Sequence, residues 1–109
     1  MEVDLSPQRV AELLKQRSIQ LIDVRQSYEW DAGRIAGARH LELTELGEQA
    51  GTVQRDRPVV FYCRSGVRSA MATEAFVGAG FDAHNMAGGL LAWDAAGLPV
   101  EPDGGYVAD

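Results

Sequence analysis

The stretch Pro58-Val59-Val60-Phe61-Tyr62-Cys63-Arg64-Ser65-Gly66-Val67-Arg68-Ser69 decides the reading of this sequence. Its first five residues form a continuous apolar run rich in β-branched and aromatic side chains. That is the pattern of a strand buried on both faces, and so of a central strand in a parallel sheet. The run stops at Cys63 and gives way to a short polar loop. From Ser69 to Ala79 the Ala-rich pattern Ala70, Met71, Ala75, Phe76, Ala79 predicts a helix, stopped by Gly78 and Gly80.

Working outward, the same alternation repeats. Upstream, Ser6 and Pro7 open a helix to about Arg17, with Val10, Leu13 and Leu14 at helical spacing. Ile19 to Val24 reads as a short buried strand, Ser27-Tyr28-Glu29-Trp30 as one capped helical turn, Ala38 to Leu41 as a strand, and Glu42 to Ala50 as a helix. Downstream come a strand at Ala83 to Met86, a Gly88-Gly89 turn, and a helix from about Leu90 to Ala96 that stops at Gly97-Leu98-Pro99. Strands alternating with helices at these intervals pair in parallel through right-handed crossovers. The expected fold is therefore α/β, a central, mainly parallel sheet with helices on both faces. With 109 residues, one domain over residues 1–100 is expected, followed by an acidic, Gly-containing tail at 101–109 that reads as mobile or loosely packed.

Composition narrows the function. The chain is 46% hydrophobic and 24% charged, the balance of a globular domain with a packed core. A formal net charge of -6 argues against a nucleic-acid partner, because such proteins present a basic face to phosphate. A small anionic substrate remains compatible with a locally positive site. No run approaches the roughly 20 apolar residues of a membrane span, and Met1-Glu2-Val3-Asp4 lacks the features of a secretory signal, so a cytoplasmic protein without a membrane partner is expected. The single cysteine excludes an internal disulfide. With only His40 and His84 as further soft ligands, neither a metal nor a cofactor is called for.

Cys63 falls at the carboxyl end of the central strand, where open parallel sheets bind their ligands. A positive φ at Gly66 would let the following amides curl inward as an anion-binding nest, and the helix beginning near Val67 to Ser69 would aim its positive end at the same point. With Arg64 and Arg68 alongside, three effects favour the thiolate: directed amides, helix dipole and guanidinium charge. A buried packing cysteine is the bland alternative, but the polar neighbours Arg64, Ser65, Gly66 and Arg68 are a poor setting for one.

The segment Cys63-Arg64-Ser65-Gly66-Val67-Arg68-Ser69 resembles the active-site loop of rhodanese domains. Leu21-Ile22-Asp23-Val24-Arg25 with Tyr28-Glu29-Trp30 and Gly33-Arg34-Ile35-Ala36-Gly37-Ala38 is similar to the family's first signature. Met86-Ala87-Gly88-Gly89-Leu90-Leu91-Ala92-Trp93 with Gly97-Leu98-Pro99-Val100 is similar to its closing one. The resemblance implies a sulfurtransferase that takes a sulfane sulfur from thiosulfate, or a similar small anionic donor, onto Cys63 as a persulfide. An external cyanide, thiol or protein acceptor then removes it. It implies further that Cys63 carries the sulfur, that the amides from Arg64 through Ser65, Gly66, Val67 and Arg68 to Ser69 cradle it, and that Arg64 and Arg68 hold the donor's anionic end. One departure stands out: Ala36 occupies the place where many members have proline.

Two rival functions use related loops. Cysteine-dependent phosphatases place five residues between cysteine and arginine, whereas four separate Cys63 from Arg68. Non-catalytic docking modules of the same family often lack the cysteine, which this chain retains. Among other residues, Asp23 and Arg25 read as a structural ion pair or turn anchors beside the loop, with Glu29 an equal candidate partner for Arg25. His40 and His84 read as surface or strand-end residues, Trp30 and Trp93 as packing anchors, and Arg34 as an exposed cation.

Overall fold

A computed structural model describes residues 1–109. Five strands form one sheet: β1 (Asp4–Leu5), β2 (Gln20–Asp23), β3 (Arg39–His40), β4 (Val59–Tyr62) and β5 (Ala83–Met86). Their order is β1-β5-β4-β2-β3, and every neighbouring pair is parallel, with β4 at the centre. The helices are α1 (Pro7–Lys15), α2 (Ser27–Ala32), α3 (Leu46–Gln49), α4 (Val67–Gly78) and α5 (Gly89–Ala95).

Alternation along β4 divides the core into two layers. Val59, Phe61 and Cys63 enter one cluster with Ala72 and Phe76 of α4 and Leu46 of α3, where Phe76 packs edge-on to Phe61. Val60 and Tyr62 enter the other, with Val10 and Leu13 of α1 and Leu90 and Trp93 of α5. The sheet is thus covered on both faces, as the all-apolar strand requires. Cys63, continuing the alternation of β4, points toward α4.

Local chemistry explains the element ends. Ser6 caps α1 by accepting from the Arg9 amide (3.1 Å), with Pro7 in the first turn. The turn at α2 is capped by Gln26 rather than Ser27, and the Glu29 carboxylate accepts from the Gln26 N–H (3.2 Å). The helix expected from Glu42 to Ala50 is instead a short 3-10 turn (Leu43–Glu45), α3, and a second 3-10 turn (Ala50–Thr52). Strand β1 has two residues, too few to leave a period in the sequence.

Three expectations need correction. The buried row of α4 is Ser69, Ala72, Thr73 and Phe76, while Ala70, Met71 and Ala75 face outward. The helix is rotated so that Ser69 faces Cys63, and Thr73 is tolerated inside because its hydroxyl donates to Ser69 O (2.8 Å). His84 is a buried residue within β5, only 3% exposed, its Nε2 lying 2.7 Å from Asp82 Oδ1. Finally, the stretch 101–109 is docked against the domain. Arg34 and Glu101 exchange two backbone hydrogen bonds (2.9 and 2.8 Å), Tyr106 N–H donates to Ala32 O (3.0 Å), and Ala108 is buried.

Candidate functional site

The loop that follows β4 wraps around one sulfur atom. Gly66 takes φ +99°, the left-handed conformation that glycine adopts without strain, and serves as the N-cap of α4. This turn aims the Gly66 N–H at Cys63 Sγ (3.1 Å), and the first turn of α4 adds the Ser69 N–H (3.4 Å) and the Ser69 hydroxyl (3.4 Å). Both Cys63 and Ser69 are almost wholly buried. The donors on the sulfur include amides that a helix start leaves without intrahelical partners, so the sulfur occupies the positive end of α4.

The loop is held from behind by the turn into α5. Leu90 N–H donates to Cys63 O (2.8 Å) and Leu91 N–H to Arg64 O (3.1 Å). With their carbonyls drawn outward, the loop's amides are left facing the thiol. Gly89 makes this approach possible: at φ +61°, a Cβ there would lie 2.5 Å from the carbonyl oxygens of both Cys63 and Arg64.

Burial pushes the Cys63 thiol up. The Ser69 hydroxyl, the Ser69 amide and the amides of Gly66 and Ser65 outweigh that, and hold it below the ordinary thiol value. The Ser69 hydroxyl is the largest of these favourable contributions, and a reading that valued Ser69 for its amide alone missed it. The signal was the serine one helical step past Arg68, on the face that the loop turns inward.

The loop arginines are engaged elsewhere. Arg68 makes a two-pronged pair with Glu29 (2.8 and 2.9 Å), a side chain 3% exposed. The pairing raises Arg68 above its ordinary value. For Glu29, burial acts upward, but the hydrogen bond from Arg68 prevails and holds the carboxyl below the usual carboxylate range. Arg64 reaches the chain's last residues, its Nε donating to Ala108 O (3.0 Å) and its Nη2 to Asp109 Oδ1 (2.7 Å). Val67 and Ser65 are exposed on the loop's outer side.

Asp23 and Arg25 form the structural pair and do not touch the sulfur. Both are fully buried, with Arg25 Nη2 2.7 Å from Asp23 Oδ2 and 2.6 Å from Gly33 O. Glu29 is therefore the partner of Arg68, not of Arg25. Trp93 is a buried anchor whose indole N–H donates to Pro99 O (2.8 Å). Trp30 stacks on His40 with centroids 4.9 Å apart and carries Arg34 over its ring (5.1 Å). No group of histidine, cysteine and carboxylate side chains is disposed to hold a metal, and no helix is long and apolar enough to cross a membrane.

Residues 6–96 match the model of the rhodanese-like domain. The chain belongs to the rhodanese-like domain family. Among its relatives, the thiosulfate sulfurtransferase GlpE of Actinobacillus succinogenes is 30% identical, the match covering 90% of this chain and 89% of that protein. A second, the probable adenylyltransferase/sulfurtransferase MoeZ of Mycobacterium tuberculosis, is 45% identical over 71% of this chain, which spans only 20% of that much longer protein. In structure, the rhodanese-related protein of Thermoplasma volcanium superposes with a TM-score of 0.85 at 28% identity, covering 92% of this chain and 98% of its own. The rhodanese-like loop thus has its family's frame of a central parallel sheet flanked by helices.

Proposed function

We propose that this rhodanese-like domain is a sulfurtransferase in which Cys63 accepts a sulfane sulfur from thiosulfate or a similar small anionic donor and passes it to cyanide, a thiol or a protein acceptor. The observation that carries the reading is the set of donors from Gly66 and Ser69 converging on Cys63 Sγ. They favour the thiolate that must attack, and they suit a persulfide whose outer sulfur is also anionic. The relatives named as thiosulfate sulfurtransferases support the choice of donor.

The steps balance without any resident cofactor. The Cys63 thiolate attacks the outer sulfur of thiosulfate; an Sγ–S bond forms, the donor's S–S bond breaks, and sulfite leaves with the electron pair. A nucleophile such as cyanide then attacks the outer persulfide sulfur, departing as thiocyanate and restoring the thiolate. Residues 1–109 hold one cysteine, so no second thiol within this domain discharges the intermediate, and the acceptor approaches from outside the domain. In this scheme Ser65, Gly66 and Ser69 surround the sulfur, Val67 completes the loop, and Arg68 fixes the loop to Glu29. Arg64 is the cation that meets the donor.

Steady-state thiocyanate formation from thiosulfate and cyanide tests the proposal. Parallel double-reciprocal lines, the mark of a covalent intermediate formed between two substrates, are expected, together with complete loss in Cys63→Ser. An active Cys63→Ser protein, or intersecting lines, would overturn it.

A further inference from the structure

Arg64 offers its Nε and Nη2, the edge with which a guanidinium grips an oxyanion in two-pronged fashion. Both positions are already occupied by the chain itself. The Ala108 carbonyl accepts from Nε and the Asp109 carboxylate from Nη2, an arrangement that imitates a bound oxyanion. Tyr28 secures the same segment through its hydroxyl, which donates to the main-chain oxygen of Asp109 (3.0 Å). Behind these contacts the segment is seated in a notch at Gly33, where a Cβ would come within 2.3 Å of Tyr106 O and 2.7 Å of Tyr106 N.

The other loop arginine offers no substitute. Both terminal nitrogens of Arg68 are taken by Glu29, a carboxylate shielded from water. Of the two, Arg64 is the one whose carboxylate partner is open to water, and in a chain of net charge -6 a cation that can exchange its partner favours the approach of a small anion. The contact is suited to release. Arg64 is about one-third exposed and Asp109 fully exposed, so water and salt can replace the ion pair, while the Gly33 notch keeps the segment close by.

We propose that residues 106–109 form a strap that competes with anionic reagents for Arg64, and so sets the preference of Cys63 for charged over neutral partners. The inference rests on the sulfurtransferase reading only for the identity of the natural donor, and the test is chosen to be independent of it. Cys63 is alkylated with iodoacetate and, separately, with iodoacetamide. Both react by the same displacement, an Sγ–C bond forming as iodide leaves, and they differ chiefly in the negative charge of the first. The ratio of the two rates therefore reports anion access and needs no sulfur chemistry.

Asp109→Ala is expected to raise the iodoacetate-to-iodoacetamide ratio about two- to five-fold, the range for loss of an exposed ion pair. Gly33→Ala, which dislodges Tyr106 without touching Arg64 or Asp109, is expected to raise it at least as much. In an Arg64→Ala background neither change should have any effect. If thiosulfate is the donor, its KM falls in Asp109→Ala by the same factor while kcat stays unchanged. An unaltered ratio in Asp109→Ala and Gly33→Ala overturns the strap, as does a gain that persists without Arg64. A protein that alkylates at Cys63 yet accepts sulfur from no donor overturns the proposed function instead, and leaves the ratio as a valid measure of the strap.

Discussion

Replacing Ser69 by alanine removes one hydroxyl from a site where every donor counts. Its Oγ lies 3.4 Å from Cys63 Sγ and is fully buried, so water cannot take its place. The Gly66 and Ser69 amides remain, and the loop keeps its shape because the serine's backbone contacts do not depend on its side chain. A hydrogen bond to a charged acceptor is worth about 1.5–3 kcal/mol, and the length of this one places it at the lower end. About 1.4 kcal/mol corresponds to a tenfold change in the thiolate fraction wherever the thiol is mostly protonated. The alkylation rate of Cys63→thioether by iodoacetamide, followed against pH by mass spectrometry, should thus fall about tenfold in Ser69→Ala on the acidic limb. At alkaline pH the two proteins should converge, or the variant should react slightly faster, since a more basic thiolate is the better nucleophile. Superimposable profiles would mean that the Ser69 hydroxyl does not stabilise the thiolate. So would a loss of equal size at every pH, which would point to damaged structure rather than a shifted ionisation.

Two further predictions concern the frame of the loop. Glu29→Gln should cost about 2 kcal/mol, less than the roughly 3–5 kcal/mol of a fully buried pair because Arg68 is partly open to water. Since the carboxyl is held below its ordinary value in the folded protein, its contribution is complete above the unfolded value, roughly pH 4.3, and is lost as the pH falls through the lower folded value. Urea denaturation of both proteins across that range should show the wild-type advantage at neutral pH and its shrinkage in acid; a difference independent of pH would contradict the assignment. Gly89→Ala should abolish reaction at Cys63, because its Cβ would meet the Cys63 and Arg64 carbonyls at 2.5 Å in a conformation that L side chains avoid. Retention of wild-type alkylation and transfer rates would show that α5 does not set the loop.

What was legible in the sequence was local. The run from Pro58 to Tyr62, the glycine at 66 and the helix after it follow one another without a break, so periodicity and turn chemistry alone locate the central strand, the loop and the cysteine at its mouth. The helix α4 was found but its face was not: Ser69 and Thr73 point inward with their polar groups satisfied at Cys63 and at Ser69 O, whereas the apolar Ala70 and Met71 point outward. Hydrophobic pattern fails wherever buried polar groups have partners. Glu29 and Arg68 are 39 residues apart and Arg64 and Asp109 are 45 apart, and no spacing rule pairs charges at such distances. Composition points to a loose acidic tail, yet its docking depends on backbone bonds at Arg34 and Ala32 and on the missing side chain of Gly33, none of which composition reveals. His84 escapes local pattern for a similar reason, since a buried histidine is stable only through the partners that surround it, here Asp82.

Sulfur transfer by this domain stands or falls with Cys63. Intact-mass measurement of the protein after brief exposure to thiosulfate, with peptide mapping of the site, is the decisive experiment. A gain of one sulfur atom at Cys63, its removal by cyanide, and no gain in Cys63→Ser are expected. A protein that remains unmodified with thiosulfate and with a persulfide donor, while its Cys63 still alkylates readily, would contradict it.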